Sequence, residues 1–255
     1  KGVLMESRIF SQVRGTADAA AITSNDNVPV EQPIDEFILR QFEITNPRWL
    51  DENRWAAEET LSGIQQGGIE TLAWYTSFRS SHVWGIFIRR SAIRGFTYQF
   101  ATKTGEPPQQ CLRAASKALY RHELFHFQVD CAYLKLDELA AAHSLSGDDP
   151  YLQSRNMNKP WDDLEEALAN ARSLYKTRHP FKTELTRILK TSPHGYRDFG
   201  KYRSKKEFFA AVDQLISQPH ASLRNNPGLH GIRALVDLED SILNGQHVPV
   251  YLVNS

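Results

Sequence analysis

The amino-acid sequence predicts a mainly helical α+β domain in which a small antiparallel sheet packs beside one long central helix. Three observations carry that expectation. Residues 109 to about 142 contain no Gly or Pro and are rich in Ala, Leu, Lys and Glu, which favours an unbroken helix. Two further stretches, 47–64 and 160–175, have helical spacing of apolar residues. Strand formers cluster just before the long helix: residues 83–88 are apolar, and Phe96, Tyr98 and Phe100 alternate with Thr97, Gln99 and Ala101, the period-2 pattern of a half-buried strand.

The elements follow in order. Residues 1–32 are small and polar with little periodicity and read as a loosely ordered N-terminal arm; residues 33–255 then form a single domain. From Pro47, a helix with Leu50, Ala57, Leu61 and Ile64 near one face runs to a turn at Gly67-Gly68. The two expected strands, 83–88 and 96–100, are joined around Ser91 to Gly95. After Gly105-Glu-Pro-Pro the long helix begins. Gly147-Asp-Asp-Pro150 breaks the chain, and Pro160 with Asp162 and Asp163 starts another helix to about Tyr175, with Leu164, Leu168, Ala171 and Tyr175 as its apolar face. Ser204-Lys-Lys-Glu207 is a capping box heading a helix to about Ser217, and Val248-Pro-Val-Tyr-Leu-Val closes the chain as an edge strand.

Composition excludes several classes. With 255 residues, 41% hydrophobic and 24% charged, the chain is neither a disordered polar tract nor a fibrous repeat. Lys plus Arg and Asp plus Glu number 30 each, so no global field draws the protein to a nucleic-acid backbone or an anionic membrane. The longest apolar stretch, around 83–88, is far shorter than the roughly 20 residues of a membrane span. Cys111 and Cys131, 20 positions apart, lie roughly 30 Å apart on one helix, too far to bridge. They read as buried, inert thiols, and with no signal-peptide pattern at the first residues the expected place of action is the cytoplasm. The five tryptophans, Trp49, Trp55, Trp74, Trp84 and Trp161, read as core or pocket wall.

The chemistry-bearing pattern is His122-Glu123-Leu124-Phe125-His126, an HExxH inside the long helix. Residues four apart share a helix face, so His122 and His126 can aim ring nitrogens at one metal while Glu123 projects beside them toward a metal-associated water. A hydrolytic zinc centre needs one more protein ligand and an open position. Leu164-Glu-Glu-Ala-Leu-Ala-Asn170 supplies it: Glu166 is the expected ligand, with Glu165 about 100° away as the competing one. Asn170, four residues after Glu166, shares its face and can support a histidine's second ring nitrogen. Ala167, Ala169 and Ala171 allow this helix to approach the first closely.

His122-Glu123-x-x-His126 followed by Glu166-x-x-Ala169-Asn170 resembles the gluzincin group of zinc metallopeptidases, including thermolysin-like enzymes and the small ImmA/IrrE-like metallopeptidases. The resemblance covers two helices, roughly residues 110–175. It implies a zincin-like fold, Zn2+ held by His122, His126 and Glu166, Glu123 as general base, and a protein or peptide substrate. Thermolysin-like enzymes carry Asp where this chain has Asn170, which adds no negative charge behind the ligands; the smaller enzymes accept Asn there. In zincin folds an edge strand before the active-site helix binds the substrate backbone, a role open to residues 83–88 or their partner. For the developing oxyanion, Tyr196, His194, Tyr202 and His230 are candidate donors, Tyr196 first because Pro193 and Gly195 shape its turn.

Charge is unevenly spread. Residues 123–166 hold 10 acidic and 3 basic side chains, and residues 182–206 hold 8 basic and 2 acidic. Two functions follow. The first is a selective zinc-dependent peptidase of intracellular or effector type. The alternative is a metal-binding regulatory module without turnover, contacting an acidic partner or nucleic acid through 182–206, where Tyr196, Phe199 and Tyr202 interleave with the charges.

Overall fold

The computed structural model describes residues 34–42, 44, 48–79, 81–142, 160–217 and 248–254. The expected N-terminal arm 1–32, the break at 147–150 and His230 lie outside the described residues. The described elements, in chain order, are α1 (Ile34–Gln41), α2 (Trp49–Glu52), α3 (Arg54–Gly67), β1 (Ala73–Thr76), β2 (Gly85–Arg89), α4 (Arg90–Thr104), α5 (Pro108–Ala142), α6 (Pro160–Tyr175), α7 (Phe181–Leu189), α8 (Lys205–Ser217) and β3 (Val250–Val253), with short 3₁₀ helices at Ile69–Thr71 and Tyr196–Tyr202. The mainly helical α+β class is what the sequence predicts.

The helix expected from Pro47 is divided at Asn53, whose side-chain Nδ2 donates to the Trp49 carbonyl at 2.6 Å. Beyond it, Ala57 and Ile64 are buried on one face of α3, with Leu61 partly buried beside them. Trp49 is buried, whereas Trp55 stands off the buried Ala56–Ala57–Thr60–Ile64 face and is 50% exposed, so it is not a core residue.

Three strands lie in the order β1-β2-β3, with β1 antiparallel and β3 parallel to β2. The sheet is therefore mixed rather than antiparallel. Trp74, Phe87 and Tyr251 stand in register across it and their rings stack, 5.5 Å between the first two centroids and 4.6 Å between the last two, a cross-strand ladder that fixes alignment. Among the described residues β3 is an edge strand, as expected. Because β2 is paired on both sides, its backbone cannot receive an extended substrate.

The second expected strand does not exist. Residues 96–100 lie within α4, and Ser91 to Gly95 form its first turns rather than a connection. Nine residues of α4 are buried, including Ile93, Phe96 and Phe100 together with Thr97 and Gln99. A helix enclosed on nearly all sides has no polar face to betray its period, and aromatic side chains then imitate a strand. Gly95 lets α3 and α4 cross closely, since a Cβ there would collide with the Ala56 carbonyl and Thr60 Oγ1.

Pro108 opens α5 at a position where its missing N–H is no loss. The helix then runs between two apolar cores. Leu112, Ala115 and Leu119 join the core beneath the sheet, α3 and α4; Phe125, Val129 and Ala132 join a second one with Leu168 of α6 and Val212, Leu215 and Ile216 of α8. His122 and Glu123, between the two, are thus buried. Helix α6 packs against α5 with Ala167 and Ala169 buried beside the crossing, and Ser173 Oγ donates to the Ala118 carbonyl at 2.7 Å. Tyr175 departs from expectation: it is 53% exposed, and Leu174 takes the buried place. Tyr133 of α5 donates its hydroxyl to the Leu215 carbonyl at 3.0 Å, and the capping box of α8 forms as expected, Glu207 N donating to Ser204 Oγ at 3.1 Å and Ser204 N to Glu207 Oε2 at 3.3 Å. Among the described residues, no helix is long and apolar enough to cross a membrane.

Cys111 and Cys131 are free, and burial pushes both thiols up to about 12, so neither is a thiolate near neutrality.

Candidate metal centre

Where α5 and α6 cross, three donor groups meet. His122 Nε2 lies 3.2 Å from Glu166 Oε2, His126 Nε2 lies 3.3 Å from His122 Nε2, and Glu166 Oε1 lies 3.3 Å from His126 Nε2. Ligands bonded tetrahedrally to zinc at 2.0–2.1 Å stand about 3.3 Å from one another. The three side chains thus form a triangle with edges of zinc-ligand length, its two glutamate edges ending on different carboxylate oxygens, and one ligand atom from each lies within 4.8 Å of the others. His122 is fully buried, His126 and Glu166 nearly so, and burying two imidazoles and a carboxylate together is costly unless something compensates them. These residues fit a metal ion.

Helix geometry explains the convergence. The four-residue spacing of His122 and His126 stacks their rings on one face of α5, their centroids 5.1 Å apart. The alanines of α6 bring its backbone near enough for a glutamate to reach them. Glu165, one residue earlier, points elsewhere: its Oε1 lies 2.7 Å from His126 Nδ1, the ring nitrogen facing away from the triangle. Glu166 therefore joins the group that could hold a metal ion, and Glu165 meets the outer nitrogen of His126.

Burial first, and then the neighbouring His126, hold the His122 ring well below its usual range, opposed more weakly by Asn170. Its Nδ2 donates to the Tyr196 carbonyl at 3.0 Å, tying the start of the second 3₁₀ helix to the centre. His122 is neutral near pH 7, as a ligand must be. Burial also presses on His126, but the hydrogen bond and charge of Glu165, with the charges of Glu123 and Glu70, outweigh it and hold that ring above its usual value. Burial, then the Glu70, Glu123 and Glu165 carboxylates, hold Glu166 well above the ordinary carboxylate range. A cation at the triangle would reverse that balance.

Glu123 is buried beside the triangle, its Oε1 4.0 Å from His122 Nε2. Of the oxyanion candidates among the described residues, the structure brings Tyr196 to the centre. Its hydroxyl lies 3.4 Å from Glu70 Oε2, and burial followed by the Glu166 and Glu70 charges raises its pKa. His194 is exposed, and Tyr202 lines a cavity on another face of α6.

Glu70 is the residue that sequence reasoning missed. It sits in the 3₁₀ turn after α3, 52 positions before His122, with no motif spacing to mark it. The visible signal was Gly67-Gly68. Gly68 has φ +74° and ψ −161°, a conformation essentially restricted to glycine, and a Cβ there would meet the Tyr196 ring at 2.5 Å. That turn seats Tyr196 and carries Glu70 to its hydroxyl.

Compared with known protein families, with curated proteins and with solved structures, the chain matches none. The buried His122, His126 and Glu166 group, able to hold a metal ion, stands on its own geometry.

Proposed function

We propose that the chain is a zinc-dependent peptidase. The observation that carries this reading is the 3.2–3.3 Å triangle of His122, His126 and Glu166 donors with the Glu123 carboxylate buried on the next helical position. A purely structural metal site has four protein ligands and no use for such a base. Two imidazoles and one carboxylate suit zinc, and leave a coordination position for exchange.

When bound, zinc supplies Lewis acidity, polarising a carbonyl and acidifying a water. His122, His126 and Glu166 hold it. Glu123 takes the proton of the attacking water and passes it to the leaving amine nitrogen. Tyr196 donates its hydroxyl to the developing oxyanion, leaving Glu70 as it does so. Strand β1 has one sheet neighbour among the described residues, so its outer edge suits an extended peptide, which would pair through main-chain groups.

Elemental analysis of the full chain, with His122→Ala, Glu166→Ala and Glu123→Gln, tests the reading, together with a mixed peptide library scored for cleavage. One zinc per chain, lost in the first two variants and kept in the third, with cleavage lost in the first two and lowered about a hundredfold or more in the third, is the expected result. Failure of the zinc-loaded protein to cleave, or a Glu123→Gln variant as active as the parent, would overturn it.

A further inference from the structure

Helix α6 has a second working face. At about 100° per residue, Glu166, Asn170 and Ser173 cluster on the side toward α5. Ala171, Arg172 and Tyr175 fall on the opposite side and line a cavity of about 870 Å³, closed by α7, the second 3₁₀ helix and the start of α8. This volume lies in the range of small-molecule sites.

Its floor is apolar and its rim is cationic. Phe199, Tyr202, Phe208 and Phe209 line it, Phe199 buried and the others partly open. Seven lining residues are Lys or Arg, and none of the lining residues is Asp or Glu. Arg187 is held by Glu184 through contacts of 2.8 and 2.5 Å. Lys176, Lys182, Lys190, Arg203 and Lys205 are exposed and, among the described residues, meet no carboxylate at ion-pair distance. Lys176 and Lys205 instead sit 5.9 and 5.8 Å from the rings of Tyr175 and Phe209. Like charges gathered round one concavity repel until an anion enters, and the concavity focuses their field on it.

We propose that this cavity binds a nucleoside polyphosphate, at a site separate from the metal centre. The phosphates take the charges of Lys182, Lys190 and Arg203, and the base lies on the Phe209 ring, which stands at 80° to that of Phe208. A concave site of this volume with aromatic walls favours a compact ligand bearing a flat ring. A flat basic stripe would be the feature expected for an extended acidic peptide.

ATP binding to the full chain, measured by calorimetry in EDTA and repeated on His122→Ala so that phosphate cannot act through the metal centre, tests the proposal. One ATP per chain is expected, unchanged in His122→Ala and weakened about tenfold or more by Lys182→Glu with Lys190→Glu, or by Arg203→Glu. Inorganic triphosphate should bind about tenfold more weakly than ATP, having no ring to stack. Photolabelling by azido-ATP should fall on α6 or α8, which reads the site without any substitution. No saturable ATP binding, binding indifferent to the charge reversals, labelling elsewhere, or tighter binding of a Glu-rich peptide than of ATP would each overturn it.

Discussion

Glu165 Oε1 sits 2.7 Å from His126 Nδ1 while the other nitrogen of that ring, Nε2, lies 3.3 Å from His122 Nε2. The carboxylate accepts the Nδ1 proton and so leaves Nε2 with a lone pair directed at the triangle. Glu165→Ala should therefore weaken zinc binding about 10- to 100-fold without abolishing it. Competition with a chromophoric chelator measures this; an unchanged affinity would show that the brace is dispensable.

Glu123→Gln should keep zinc at the parent affinity and lower turnover about 10²- to 10⁴-fold, the range of a lost general base. Tyr196→Phe keeps the ring on Gly68 and removes only the hydroxyl. It should lower kcat with KM little changed, because the donor is needed after the carbonyl has been attacked. A loss confined to KM would instead make Tyr196 a binding residue.

The metal-free chain should become less stable as pH rises past neutrality. His126 and Glu166 both have raised values when folded, so each contributes stability that is fully present below its ordinary value, 6.5 and 4.5, and lost as pH climbs through the folded one. His122, held low by burial, works the other way and withdraws stability as pH falls below 6.5. Urea midpoints in EDTA should accordingly fall on the alkaline side. Glu166→Gln, which carries no charge to bury, should flatten that fall, and saturating zinc should abolish it in the parent. A parent profile as flat as that of Glu166→Gln would refute the linkage.

The donor set was legible in the sequence because helix periodicity is rigid: a spacing of four places His122 over His126, and the alanines around Glu166 mark a close helix crossing. Capping at Ser204 and Glu207 is equally local. Glu70 was not legible, since a contact bridging 126 positions to Tyr196 is set by how α3 ends and not by any motif. The second strand was misread for a related reason. The Phe96–Tyr98–Phe100 alternation is a property of the letters, whereas α4 is defined by burial between α3 and its neighbours, which only the assembled fold supplies. The basic segment was visible as charge alone; its closing into a cavity depends on α6, whose exposed face offers Arg172 and Tyr175.

Gly95 separates these accounts by experiment. In an open helix, Gly→Ala gains about 1 kcal/mol from reduced backbone freedom. At Gly95 the added methyl would strike the Ala56 carbonyl oxygen and Thr60 Oγ1. The carbonyl belongs to the backbone of α3 and cannot rotate away, so the two helices must separate. Overpacking of this kind costs about 1–3 kcal/mol, which exceeds the propensity gain. Gly95→Ala should thus lower the urea midpoint with an unchanged slope, whereas Gly200→Ala, whose Cβ would meet nothing within 4 Å, should leave it within about 0.5 kcal/mol of the parent. Were Gly95 in a surface turn between strands, its replacement would not move α3, and quenching of Trp49 and Trp55 fluorescence by iodide would be unaltered. Increased quenching in Gly95→Ala is the expected sign that the α3–α4 crossing has opened.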